Sequence, residues 1–313
     1  DDDDDDGGGD NDGGDNNVGM SAEATKHKNA GNELLKQKQY DAAVAEFAKG
    51  LAVAGVDAAT VGVLHSNTSA AYASKGDWDK ALEAGTAAAA ARPDWVKAHT
   101  RRAAALVQLA RLEEAVAAYE RALECDASSA VAKDGLAQAK KWLQAQEYNV
   151  LGEEFLTKQR WAGAAEHFSK ALELHAERAL YHCNFSHALC RLGKCDAAVA
   201  AADEAMKLAP QWHRPYQRKG EALSAQAKYD AAIPFYAHAV SLRPSDAALQ
   251  RAFQQCQQNA FVERKRQEAA AAAAAAAVDD AHRGARLAAA RADALDVAHH
   301  VHAGHHAAEH HVL

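Results

Sequence analysis

From Ala24 onward the apolar residues recur with a helical period, and residues of fixed size return at fixed places. Aligning one small residue (Ala43, Ala81, Ala115, Ala164, Ala198, Ala232) gives steps of 38, 34, 49, 34 and 34 residues. A bulky residue stands three before each anchor: Tyr40, Trp78, Leu112, Trp161, Cys195 and Tyr229. An aromatic stands four after in most segments (Phe47, Tyr119, Phe168, Tyr236), and a small residue seven after (Ala88, Ala122, Ala171, Ala205, Ala239). Glycine or another small residue sits twelve before (Gly31, Ser69, Ala103, Gly152, Ser186, Gly220), and Pro93, Pro210 and Pro244 close three segments. A pair of antiparallel helices per segment accounts for this pattern. Small residues let the two helices approach, large ones fill the gap between hairpins, and proline ends the second helix. The pattern predicts six hairpins in two groups of three, over roughly residues 24 to 245.

The 49-residue step marks the boundary between the groups. Ser128 to Gln146 carries Val131, Leu136, Ala139, Trp142 and Leu143 at helical spacing, which predicts a helix that caps the first group and runs on into the second. Asp246 to Glu268 is the equivalent cap after the second. Pro234 lies in the first turns of its helix and is tolerated there. Nine alanines follow (Ala269 to Ala277), then an Ala/Arg helix to about Val297 and a histidine-rich tail. His299, His302, His306 and His310 are three or four apart, but Gly304 interrupts them and no carboxylate or cysteine partners are fixed beside them. They are read as a polar tail, with no metal site assigned. The expected organisation is a tail over 1–20, a capped array over 21–146, a second over 147–268, and an Ala-rich helix with the His-rich tail over 269–313.

Composition supports an all-α chain. The apolar share is largely alanine and aromatics are 6%, which suits close-packed helices and offers little for strands. Residues 1–20 hold nine aspartates and no lysine or arginine, so without them the net charge of −8 becomes about +1. A near-neutral folded part gives no footprint for nucleic acid. Asp1 to Asn17 contains only Asp, Gly and Asn, which predicts disorder. Met20-Ser21-Ala22-Glu23 has the form of an ordinary start, so the acidic stretch reads as an extension; a tail that regulates the site is the alternative. Cys125, Cys183, Cys190, Cys195 and Cys256 form no C-x-x-C pair and read as reduced, mostly buried helix residues. No secretory or membrane-spanning segment is evident, and the expected compartment is the cytoplasm, with the nucleus as a second location.

Catalytic motifs are missing: there is no G-x-x-x-x-G-K-[ST], H-E-x-x-H or G-x-S-x-G, and no strand-rich segment to hold such a loop. No catalytic residue or cofactor is assigned. His65 and His99 read as packing or surface residues. A binding site is more specific. Stacked hairpins line a concave groove with the first helix of each repeat. Lys28 and Asn32 fall at positions five and nine of the first such helix, Asn67 at position six of the second, and Lys97 and Arg101 at positions two and six of the third. Three cations and two amides offer donors and no carboxylate, the set that a peptide ending in aspartate needs for its two carboxylates.

The hairpin pattern resembles the tetratricopeptide repeat, which implies two three-repeat arrays in a right-handed superhelix. Residues 24 to 145 further resemble the first repeat domain of the Hsp-organising protein family, the stress-inducible co-chaperones. The resemblance is carried by Lys28-Asn29-Ala30-Gly31-Asn32, Leu64 to Tyr72, Lys75-Gly76-Asp77-Trp78 and Pro93 to Arg102. It implies that Lys28, Asn32, Asn67, Lys97 and Arg101 grip the C-terminal Glu-Glu-Val-Asp of seventy- and ninety-kilodalton heat-shock chaperones, with no membrane or nucleic-acid partner. The Asp-Pro-rich helical domains of that family have no counterpart, so the chain is expected to be a two-array relative. The alternative is a scaffold for unrelated partners. At the corresponding places the second array reads Asn149, Glu153, Asn184, Arg214 and Arg218. A carboxylate stands where Asn32 stood, so this second groove is expected not to be a clamp of the same kind, with Glu153 pairing Arg214 or Arg218.

Overall fold

Each segment of the pattern forms a helical hairpin in the computed structural model, which describes residues 22–309, with side chains through residue 289 and at 291. The first three hairpins are α1 (Ala22–Lys36) with α2 (Tyr40–Leu51), α3 (Ala58–Lys75) with α4 (Trp78–Ala91), and α5 (Val96–Gln108) with α6 (Leu112–Cys125). A single long helix, α7 (Ala130–Thr157), then pairs with α8 (Trp161–Leu174). Two more hairpins are α9 (Ala179–Arg191) with α10 (Cys195–Leu208) and α11 (His213–Ala225) with α12 (Tyr229–Leu242), followed by α13 (Ala247–Glu309). The described residues contain helices and no strand. Two compact units divide inside α9, after Tyr181.

The bulky residue three before each anchor is the first residue of every second helix, from Tyr40 to Tyr229. All six anchor alanines have no exposed surface, as do Ala88, Ala122, Ala171, Ala205 and Ala239. Helices this close leave no room for a larger side chain. A Cβ at Gly31 would collide with the Phe47 ring, one at Gly152 would stand 2.5 Å from Phe168, and one at Gly220 2.9 Å from Tyr236. These rings therefore pack within their own hairpin, over the glycine, and not only between hairpins as the pattern suggested. Where no ring stands four after the anchor, serine takes the glycine's place. Ser69 Oγ donates to Ala81 O at 2.8 Å and Ser186 Oγ to Ala198 O at 2.7 Å, so the hydroxyl is satisfied inside the core. Repeat three is a third solution: Ala103 leaves no space, and Tyr119 lies over Gly135 of α7 instead.

The turn inside every hairpin has one geometry. The residue five before the anchor is left-handed in all six: Lys38 (φ 58°), Gly76 (81°), Ala110 (57°), Gln159 (55°), Gly193 (76°) and Ala227 (58°). The next residue's N–H bonds back across the helix end, as in Asp77 N to Tyr72 O at 2.9 Å and Arg111 N to Leu106 O at 2.9 Å. This bond closes the first helix and sets the entry of the second.

Several expectations change in detail. Val131 is 69% exposed and does not join the cap's apolar face, whereas Leu136 and Ala139 do, packing with Leu106 and Tyr119. Cys183 and Cys256 are buried, but Cys125, Cys190 and Cys195 are only half-buried, so burial is not the rule for the thiols. α12 runs unbroken through Pro234. α13 likewise runs through Gly304, because one glycine costs a helix only about 1 kcal/mol against alanine and its neighbours are helix formers. The acidic tail, Met20 and the side chains of His299, His302, His306 and His310 lie outside the described residues. No helix among the described residues is long and apolar enough to cross a membrane.

Candidate functional site

Five side chains from three neighbouring first helices make up the candidate site, all within the first compact unit. α1 packs on α3, and α3 on α5. Lys28 and Asn32 lie one turn apart on α1 and flank Gly31, whose contact with Phe47 fixes that stretch against α2. His27 Nδ1 and Glu46 Oε2, 2.8 Å apart, tie the same turn of α1 to α2. On α3, Asn67 Nδ2 donates to Asn32 Oδ1 at 3.0 Å. That bond joins two of the predicted residues across adjacent repeats. It engages the Asn32 carbonyl oxygen and does not involve the Asn32 amide N–H groups.

The entry to α5 is pinned from several sides, which positions the remaining two residues. The Arg92 guanidinium lies 4.5 Å from the Trp95 ring centre, and its stem covers Gly62 of α3, where a Cβ would stand 2.7 Å from Arg92 Cγ. The Pro93 carbonyl accepts from His99 Nε2 at 2.9 Å and from Cys125 Sγ at 3.6 Å. His99 is thus a buried structural residue, and His65 is half-buried with its imidazole pushed below the usual range by desolvation. Lys97 follows two residues after Trp95, and Arg101 one turn later. Lys28, Asn32, Asn67 and Lys97 are half-buried, while Arg101 is exposed. Ala104, one further turn along α5, is exposed and small.

The second set divides between the units. In the first unit Asn149, buried on α7, donates from Nδ2 to Glu153 Oε1 at 3.0 Å. In the second, Asn184 lies on α9, and Arg214 and Arg218 on α11. Arg214 is exposed. Arg218 Nη1 donates to Glu221 Oε2 at 2.6 Å, so Arg218 has an acidic partner three residues along its own helix. Gln217 Nε2 donates to the other oxygen of Glu221 at 2.8 Å. Burial pushes the nearby Cys183 thiol up to about 11 and, together with the Arg218 charge, the His187 imidazole down to about 4, so both are neutral at pH 7. Glu221 and Gln217 belong to no motif in the sequence; their spacing from Arg218 along one helix is the signal that marks them. No group of three metal-ligating side chains occurs among the described residues.

The tetratricopeptide repeat family model matches residues 96–129 and 213–246, which are the third and sixth hairpins. Over 78% of the chain, the fold matches 67% of the crystallised P58(IPK) TPR domain at a TM-score of 0.59 and 18% identity. The chain folds as tetratricopeptide repeats. Among curated proteins it is 37% identical over 128 residues to Heat shock protein STI1 of Saccharomyces cerevisiae, covering 41% of this chain and 21% of that protein. It is 25% identical over 257 residues to the Hsp70-Hsp90 organizing protein of Triticum aestivum, covering 75% and 44%. The repeat chain therefore resembles the Hsp-organising co-chaperones, and spans less than half the length of either relative.

Proposed function

We propose that this repeat chain is a non-catalytic co-chaperone adaptor of the cytoplasm. In this reading Lys28, Asn32, Asn67, Lys97 and Arg101 form a two-carboxylate clamp for the C-terminal Glu-Glu-Val-Asp of seventy- and ninety-kilodalton heat-shock chaperones. The observation that carries the reading is the Asn67–Asn32 hydrogen bond, which couples the amides of α3 and α1 within one unit that also presents Lys28, Lys97 and Arg101. The names of the curated relatives support the choice of partner. A C-terminal aspartate offers a main-chain and a side-chain carboxylate, and each charge-assisted contact contributes about 1.5–3 kcal/mol. We read the second set as no clamp of this kind, since Asn149 and Glu153 replace Lys28 and Asn32.

Calorimetry with a Glu-Glu-Val-Asp peptide, free and C-terminally amidated, tests this. Binding should fall on amidation, and Lys97→Ala or Arg101→Ala should each weaken it roughly ten- to hundredfold with helicity unchanged. Affinity should also fall as salt rises, because the groove is solvated. Retention indifferent to amidation, or either variant binding like wild type, would favour a scaffold for other partners.

A further inference from the structure

α11 repeats the cationic half of the proposed clamp. Arg214 and Arg218 stand eighteen and fourteen residues before their anchor Ala232, as Lys97 and Arg101 stand before Ala115. Equal register on equivalent helices gives the two pairs the same placement within their hairpins. The difference comes one turn later: eleven residues before the anchor, α5 carries Ala104 and α11 carries Glu221.

Glu221 is turned back along its own helix. One carboxylate oxygen takes Arg218 Nη1 at 2.6 Å and the other takes Gln217 Nε2 at 2.8 Å. The side chains of Arg218 and Glu221 are only 20% and 28% exposed, whereas Arg101 is exposed. The contact is therefore a bidentate use of the carboxylate in a largely desolvated place, stronger than a surface ion pair. Cys183 and His187 of α9 also lie within reach of Arg218, but both are neutral and bring no competing charge. Lys219, next along the helix, is engaged elsewhere, with Asp203 at 2.6 Å.

We propose that Glu221 is an internal substitute for a ligand's carboxylate, and that, beside the changes at Asn149 and Glu153, it withholds Arg218 of α11 from a carboxylate-ended peptide. A peptide carboxylate would have to displace a contact that costs no association entropy, and would then sit beside the displaced negative charge. Glu221 thus acts as a specificity residue: it permits Arg218 in the repeat while denying it to acidic C-termini. The inference rests on the clamp reading of α5, whose cations set the comparison.

The test uses the full chain and the Glu-Glu-Val-Asp peptide in calorimetry. In a Lys97→Ala/Arg101→Ala background, adding Glu221→Gln should tighten binding at least tenfold. The gain should vanish when Arg218→Ala is added or the peptide is amidated. Glu221→Ala, which gives α11 the side chain that α5 carries, should reproduce it. No gain from either substitution in chains of wild-type helicity overturns the proposal. Loss of helicity in both also overturns it, by making Glu221 a structural residue. If the clamp reading fails instead, Lys97→Ala/Arg101→Ala leaves wild-type binding unchanged, and the Glu221 arms are then read against the wild-type chain.

Discussion

At the scale of single residues, the turn between the two helices of each hairpin has the clearest consequence. All six turns need a left-handed residue, but only Gly76 and Gly193 are the type that adopts it without a steric penalty. For an L-residue with a side chain the left-handed region costs roughly 1–2 kcal/mol, which Lys38, Ala110, Gln159 and Ala227 all bear. Ala110→Gly and Ala227→Gly should each stabilise the chain by about 0.5–1 kcal/mol, after allowing for glycine's freer unfolded state, and Gly76→Ala should destabilise it by about 1–2 kcal/mol. Urea denaturation measures all three, and a lower midpoint for both glycine variants would contradict the argument. This position was hidden in the sequence because four of its six residues are not glycine. The anchor alanines were legible, since a close helix contact admits only small residues and so leaves a repeating mark. The clamp candidates were picked out for a related reason: cations and amides standing eleven, fourteen, fifteen or eighteen residues before those anchors have offsets that fall on one helix face. Glu221 was visible as a letter but not as a contact, because helical spacing allows a glutamate to turn toward Arg218 or toward water.

At the scale of elements, the chain packs its hairpins in more than one way. Gly31, Gly152 and Gly220 make room for a ring from the second helix, while Ser69 and Ser186 fill the same place with a hydroxyl bonded to the anchor carbonyl. The pattern of small and aromatic positions forecast six hairpins. It did not forecast which side of a hairpin each ring occupies, because that depends on the volume left by a residue sixteen positions earlier. The two residues of such a pair should be energetically coupled. Gly31→Ala drives a methyl group into Phe47, which has no exposed surface, and overpacking of this kind costs about 1–3 kcal/mol. In a Phe47→Leu background the same substitution should cost at least about 1 kcal/mol less, because the branched side chain can yield. A double-mutant cycle in urea checks this, and additive effects would show that the ring has space to move. The pair also bears on the site, since Gly31 lies between Lys28 and Asn32. Gly31→Ala should weaken peptide binding without touching a clamp residue.

At the scale of the whole chain, α13 combines a part that stabilises the last hairpin with a part whose described side chains are exposed and meet the hairpin only at its start, where Arg264 Nε stands 3.7 Å from Asp230 Oδ1 of α12. Leu249, Cys256 and Ala260 are 1%, 3% and 1% exposed, and Leu249 and Cys256 share a core with Leu223 and Tyr236. From Arg264 to Ala289 every residue is exposed. Helicity there depends on propensity, which alanine supplies, and on local pairs such as Lys265 with Glu268 at 2.8 Å, each contributing only about 0.2–0.5 kcal/mol. Such a helix exchanges its amide protons by local fraying, without opening the rest of the fold. Ending the chain at Glu268 should therefore leave the melting temperature unchanged and reduce far-ultraviolet helicity in proportion to the residues removed. Ending it at Asp246 strips the cover from Leu223 and Tyr236. It should cost about 3 kcal/mol or more, since each fully buried large apolar side chain is worth roughly 1.5–3 kcal/mol. Scanning calorimetry of both truncations separates the two parts. An equal drop in melting temperature for both would mean that the exposed stretch carries contacts essential to the second unit, and would assign the cap a length well beyond Glu268.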